Sequence, residues 1–231
     1  MILTERFVFL HLHKSGGSFV NEFLLGCVPG ARQVGYHLPR ALIPKPYDEL
    51  PVVGFTRSPW SYYVSWYAFQ KRRAQPNPLF RIVSEGGRLD FEGTVRNLLE
   101  LGSGSPLLEP LVAALPQAYV NRGLNLPGPA LAAIRGTGLG FFSFLYRHIY
   151  GGPEGRRYIG RMELLRDTLL LTLEAIGEPV TPAMRDYVKR TPARNVSEHG
   201  RYEDYYGEAL RELVALRDRD VIANHGYRFG E

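Results

Sequence analysis

The chain is organised around the stretch Phe7 to Leu25, FVFLHLHKSGGSFVNEFLL. An apolar run from Phe7 to Leu12 breaks at His13-Lys14-Ser15-Gly16-Gly17-Ser18, and an apolar pattern resumes at Phe19, Val20, Phe23 and Leu24. Pattern and punctuation predict a strand, a tight loop and a helix. Two glycines in such a turn leave backbone N–H groups open to a closely approaching anion. The helix directs its positive end at the same point, and Lys14 adds a full charge. Phosphate binding is the functional reading; an ordinary strand-to-helix turn that needs glycine for its backbone angles is the plain one. The loop is not the Walker pattern, because there the lysine follows both glycines and here Lys14 precedes Gly16 and Gly17.

Working outward, Val28 to Pro51 is rich in proline and glycine and reads as loop with at most one short helix. Pro51 to Thr56, PVVGFT, is continuously apolar and predicts a short buried strand ending at Arg57. Ser58-Pro59 then supplies a cap and a first helical residue for a helix over Trp60 to Arg73. The arginine after this strand carries information that a glycine loop lacks. A P-loop kinase or hydrolase places an aspartate there to hold magnesium, whereas this chain places a cation, which suits a site built for anions without a metal.

These two segments resemble the nucleotide-binding motifs of sulfotransferases that use 3′-phosphoadenosine 5′-phosphosulfate (PAPS). The 5′-phosphosulfate loop of that family is roughly an apolar strand followed by (H)xPK[ST]GG[ST]. This chain matches it at His11, Lys14, Ser15, Gly16, Gly17 and Ser18, with His13 where proline is usual. The family's RxPxxxxxS pattern for the 3′-phosphate is matched by RSPWSYYVS, with Arg57 and Ser65 in the gripping positions. The phrase YIGRMELLRDTL and the closing HGYRF are similar to later parts of bacterial and Golgi-type carbohydrate sulfotransferases. The resemblance implies a P-loop-like three-layer α/β sandwich with a central, mainly parallel sheet. It also implies PAPS as sulfuryl donor, no metal, and nucleotide contacts from Lys14, Ser15, Gly16, Gly17, Ser18, Phe19, Arg57, Ser65 and Arg201. Lys14 would act on the leaving group. His37 stands near where heparan-type 2-O-sulfotransferases carry a catalytic histidine; a structural histidine in a proline-rich loop is the alternative, with His11 and His13 as competitors.

Composition sets the remaining bounds. A chain of 231 residues with a 45% hydrophobic fraction is expected to form a single domain spanning 1–231. One cysteine, Cys27, excludes an internal disulfide framework and reads as core filler. No run approaches the roughly 20 apolar residues of a spanning helix, and the start of the chain enters a strand directly, so a cytoplasmic protein without stable membrane insertion is expected. The formal charge of +5 favours an anionic ligand, but acids and bases are interspersed and Lys71-Arg72-Arg73 is the one tight basic cluster, which argues against a nucleic-acid face.

Residues 76–157 form a loop-rich, weakly patterned stretch read as an insertion over the site that holds a small-molecule or carbohydrate acceptor. Tyr119, Phe141, Phe142, Phe144 and Tyr146 are its aromatic candidates, with simple core as the alternative. Tyr158 to Arg161 predicts another strand, followed by a helix over Met162 to Ile176 in which Glu163 reads as structural. The end of the chain predicts an amphipathic helix with Leu210, Leu213, Val214, Val221 and Ile222 on one stripe. Lys189, Arg190, Arg194 and Arg201 flank the loop before it, either to fold over a nucleotide or as a solvated basic loop. Two rival functions remain, an ATP-dependent phosphoryl transferase and a non-catalytic nucleotide-binding module.

Overall fold

The computed structural model describes residues 1–152, 156–192 and 199–231; Arg194 and the Asn195-Val196-Ser197 sequon lie outside them. In chain order the elements are β1 (Ile2–Leu3), β2 (Val8–Leu10), α1 (Gly17–Cys27), β3 (Arg32–Gln33), β4 (Val52–Thr56), α2 (Pro59–Lys71), α3 (Pro78–Val83) and α4 (Phe91–Glu100). There follow α5 (Leu108–Ala114), α6 (Gly128–Ala132), α7 (Phe141–Tyr150), β5 (Arg157–Arg161), α8 (Leu165–Ala175), α9 (Pro182–Arg190), α10 (Glu208–Arg217) and α11 (Arg219–His225). They divide into two compact units, Met1–Arg57 with His148–Val196, and Ser58–Arg147 with Ser197–Glu231. Most of the stretch 76–157 belongs to the second unit, which also takes in α2 and the end of the chain. No described helix is long and apolar enough to cross a membrane.

The first unit is α/β. Its five strands lie in the order β3-β1-β2-β4-β5. β1 is antiparallel to both β2 and β3, while β2–β4 and β4–β5 are parallel, so four of the five strands share one direction. Strand β3 falls inside the stretch that reads as loop. At two residues it is too short for an alternation signal, and its place is set by pairing with β1.

Alternation gives the sheet two different faces. Phe7, Phe9, Val53 and Phe55 point into a cluster with Phe19, Val20, Phe23 and Leu24 of α1, Leu165, Leu169 and Leu173 of α8, and Met184 and Val188 of α9. Cys27 packs at the edge of this cluster, where burial raises its thiol pKa, in keeping with core filler. Arg166 of α8 lies over the Phe19 ring and donates to the carbonyls of Val188 and Thr191, which satisfies the open carbonyl end of α9. On the opposite face Gly54 lies against the ring of Tyr150.

The second unit is helical. Asp218, fully buried, ends α10 and starts α11, so the single terminal helix expected from the apolar stripe is two helices. Its carboxylate accepts from the Ser143 N–H at 2.8 Å and from the Tyr63 hydroxyl at 2.8 Å, and that hydroxyl accepts from the Phe142 N–H at 3.1 Å. A carboxylate distant in sequence thus satisfies the first amides of α7. Phe141, Phe142 and Phe144 are buried, the plain reading of that aromatic cluster.

Candidate functional site

The carboxyl ends of β2 and β4 lie side by side because these strands pair in parallel, Val8 with Val52, Phe9 with Val53 and Leu10 with Gly54. The loop His13–Gly16 follows β2 and Arg57 follows β4. From β2 the chain passes to β3 on one side, whereas β4 lies on the other. In open α/β sheets such a reversal at the carboxyl ends opens a crevice for ligands.

Tyr150 spaces the two strands at that end. The β2–β4 register stops at Leu10 and Gly54, and beyond it the Tyr150 hydroxyl lies between the strands. It accepts from the Phe55 N–H at 3.1 Å and donates toward the Phe55 carbonyl at 2.9 Å, with the Leu10 carbonyl at 3.3 Å. The ring fits because position 54 is glycine; a Cβ there would lie 2.4 Å from it. Sequence reading passes over Tyr150, but a glycine inside an otherwise apolar strand signals a close approach of some other group.

Within the loop, residues alternate between surface and interior. Lys14, Gly16 and Ser18 retain exposure, while Ser15, Gly17 and Phe19 are buried. The Ser15 hydroxyl donates to the His13 carbonyl at 3.2 Å and so braces the turn. Gly16 takes a φ of 76° as the residue before α1, and no side chain caps that helix. Gly17 has no room for a side chain, since a Cβ would fall 1.9 Å from the His11 ring. The Phe19 N–H bonds to the Gly16 carbonyl at 3.1 Å and its ring joins the core, so this residue supports the loop from beneath.

Lys14 and Arg57 meet at the loop. The guanidinium Nη1 of Arg57 donates to the Lys14 carbonyl at 3.4 Å. Burial, and after it the charge of Arg57, push the Lys14 ammonium down to about pKa 8. Two cations near enough for one to lower the protonation of the other, beside the start of a helix, form a site whose electrostatics favour an anion.

Three imidazoles line the same edge. The His37 ring lies 3.5 Å from His13, centroid to centroid, with 17° between planes, and 4.4 Å from His11. Nδ1 of His37 lies 2.8 Å from the His11 carbonyl; a carbonyl only accepts, so Nδ1 carries the proton and Nε2 the lone pair. Burial is the main cause that lowers His37 to about pKa 4, which keeps the ring neutral at physiological pH. His11 lies under the loop with its own Nδ1 lacking a hydrogen-bond partner; the bond beneath the loop is made by its backbone carbonyl. Lys14 and His37 both adopt left-handed backbone, φ 58° and 50°. For residues with a Cβ this costs on the order of 1–2 kcal/mol each, a strain that clusters at functional sites.

Ser65 and Arg201 belong to the second unit. Ser65 lies on the buried side of α2, and Arg201 is exposed, with Glu203 at 3.1 Å. Tyr146 bonds His225 at 3.0 Å, and Glu163 is exposed. Lys189 and Arg190 are exposed at the end of α9. Among the described residues no group of three His, Cys, Asp or Glu side chains is arranged to hold a metal ion. No protein-family model matches the chain, and no curated protein matches it.

Proposed function

We propose that this protein is a sulfotransferase, moving a sulfuryl group from PAPS to an acceptor hydroxyl on a sugar, glycolipid or secondary metabolite in a P-loop-like domain. The observation that carries this reading is the pairing of Lys14 with Arg57 at the carboxyl ends of adjacent parallel strands, beside the uncapped start of α1. A nucleotide with both 5′ and 3′ anionic groups matches a site with two separate cations. The occupant of the position after β4, an arginine, favours this over a kinase, whose metal would need a carboxylate there.

The reaction is an in-line displacement at sulfur. The acceptor oxygen forms the new S–O bond, its proton passes to Nε2 of His37, and the bond between sulfur and the 5′-phosphate oxygen breaks with its electron pair going to that phosphate. The Lys14 ammonium opposes the charge that accumulates there. In this reading the nucleotide product is adenosine 3′,5′-bisphosphate.

Calorimetry with adenosine 3′,5′-bisphosphate, AMP and ATP tests the assignment. The bisphosphate should bind roughly tenfold to a hundredfold tighter than AMP, as one charge-assisted contact is worth about 1.5–3 kcal/mol. Arg57→Ala should erase that preference and a substitution at the exposed Arg73 should not; Ser65→Ala and Arg201→Ala test the remaining two candidates. Equal affinity for bisphosphate and AMP removes the basis of the reading, and ATP binding tightest of the three would favour the phosphoryl-transfer alternative. Turnover of PAPS with an acceptor then separates an enzyme from a binding module.

A further inference from the structure

Position 13 is where the resemblance expects proline and this chain has histidine. The structure gives that histidine a specific neighbour. Its ring lies flat on His37, with 3.5 Å between centroids and a 17° interplanar angle, and only 9% of the residue is exposed. His37 is held by two further features, the bond from its Nδ1 to the His11 carbonyl at 2.8 Å and the tilted His11 ring at 4.4 Å.

Of these three restraints, the hydrogen bond and the stacked ring are of different kinds. A single hydrogen bond at Nδ1 holds one atom and tolerates bending, so it leaves the ring some rotation about χ2. Contact with a parallel ring removes the rotation, because turning the plane drives the imidazole edge into its neighbour. Together they fix the direction of the Nε2 lone pair, which lies in the ring plane on the side away from the His11 carbonyl. The titratable groups that face His37 are His11 at the end of β2, His13 in the loop, its neighbour Tyr36 with centroids 6.3 Å apart, and the Met1 ammonium.

We infer that His13 is a positioning residue: stacked on His37, it fixes the plane of that ring and so aims Nε2, as the sole basic nitrogen, at the acceptor hydroxyl. This rests on the sulfotransferase reading for the acceptor, but the stacking and the tautomer are properties of the protein alone. A proline in position 13 has no planar aromatic ring to offer to His37.

A measurement on the ligand-free protein tests this independently of the reaction. Histidine-labelled full-length protein is examined by long-range nitrogen–proton correlation NMR as wild type, His13→Phe and His13→Leu. Phenylalanine retains a flat ring, whereas leucine keeps the volume and loses it. His37 in the wild type and in His13→Phe should show one tautomer, protonated at Nδ1. In His13→Leu the two tautomers should mix, because the ring is then free to leave the His11 carbonyl. With PAPS and an acceptor, His13→Leu should lose roughly tenfold or more in kcat with an unchanged donor KM, and His13→Phe should restore kcat. An unaltered His37 tautomer in His13→Leu overturns the inference, whatever the turnover. Failure of the sulfotransferase reading shows itself elsewhere, as normal turnover in His37→Ala or as no turnover in the wild type.

Discussion

The imidazole of His11 occupies the space that a side chain on Gly17 would need, with its Cδ2 1.9 Å from the Cβ position. The glycine is therefore required by packing between strand and helix as well as by any ligand. Gly17→Ala must displace a buried ring that itself contacts His37, and should destabilise the protein by about 1–3 kcal/mol. Gly26→Ala provides the control in the same helix, because nothing lies within 4 Å of its Cβ position. It should stabilise by about 0.5–1 kcal/mol. Urea denaturation of the two variants checks the contrast; a Gly17→Ala protein as stable as wild type would mean that His11 has room to move.

Tyr150→Phe removes one oxygen and leaves the Phe55 N–H and the Leu10 carbonyl to find each other across a gap shaped for a hydroxyl. The expected cost is about 1–3 kcal/mol in denaturant unfolding. Bisphosphate affinity should also drop, because the crevice narrows. Unchanged stability would show that the strands close without penalty.

Affinity for the bisphosphate should depend on pH through Lys14. Its ammonium loses its proton at about pKa 8 in the free protein, and a bound anion raises that value, so binding takes up a proton above pH 8. Affinity is then highest below pH 8 and should weaken up to roughly tenfold per pH unit above it. Lys14→Arg keeps its charge and should flatten the curve. Calorimetry between pH 7 and 10 decides; a flat wild-type profile would place the anion away from Lys14.

Asp218 should make the second unit weaker at neutral than at mildly acidic pH. Burial raises its carboxyl from 3.8 to about 6 in the folded state. A raised folded value means stability present in full below 3.8 and lost as pH rises through 6. The loss amounts to about 3 kcal/mol at most. Asp218→Asn should remove that slope, measured as the difference in unfolding free energy between pH 4.5 and 7.5; equal slopes in the two proteins would refute the assignment.

Much of the first unit is legible from FVFLHLHKSGGSFVNEFLL and PVVGFTRSP because each joins an unbroken apolar run to turn chemistry that only one local structure satisfies. The meeting of Lys14 with Arg57 follows from two parallel strands being neighbours, each ending in one of these two motifs. The stacking of His13 on His37 is not readable, because it depends on Val28 to Pro51 returning beside the loop through a two-residue strand and turns too short to leave a periodic signal. The break at Asp218 is hidden for a different reason. Leu210, Val214 and Val221 keep helical spacing across it, and the signal that they belong to two helices is one buried carboxylate whose partners lie 75 and 155 residues away.

The bridge made by Tyr150 ties the site to the order in which the chain is synthesised. Its hydroxyl reaches 140 residues back to Leu10 and 95 back to Phe55. A nascent chain that has emerged only as far as α6 carries the whole glycine loop and Arg57, yet lacks the group that spaces their strands. Loop closure over such a separation is entropically costly and comes late relative to local helix formation. Until α7 emerges, β2 and β4 have no internal means of stopping their ladder at Leu10 and Gly54, so anion capture should be a property of the completed polypeptide and absent from ribosome-stalled fragments that end before residue 150.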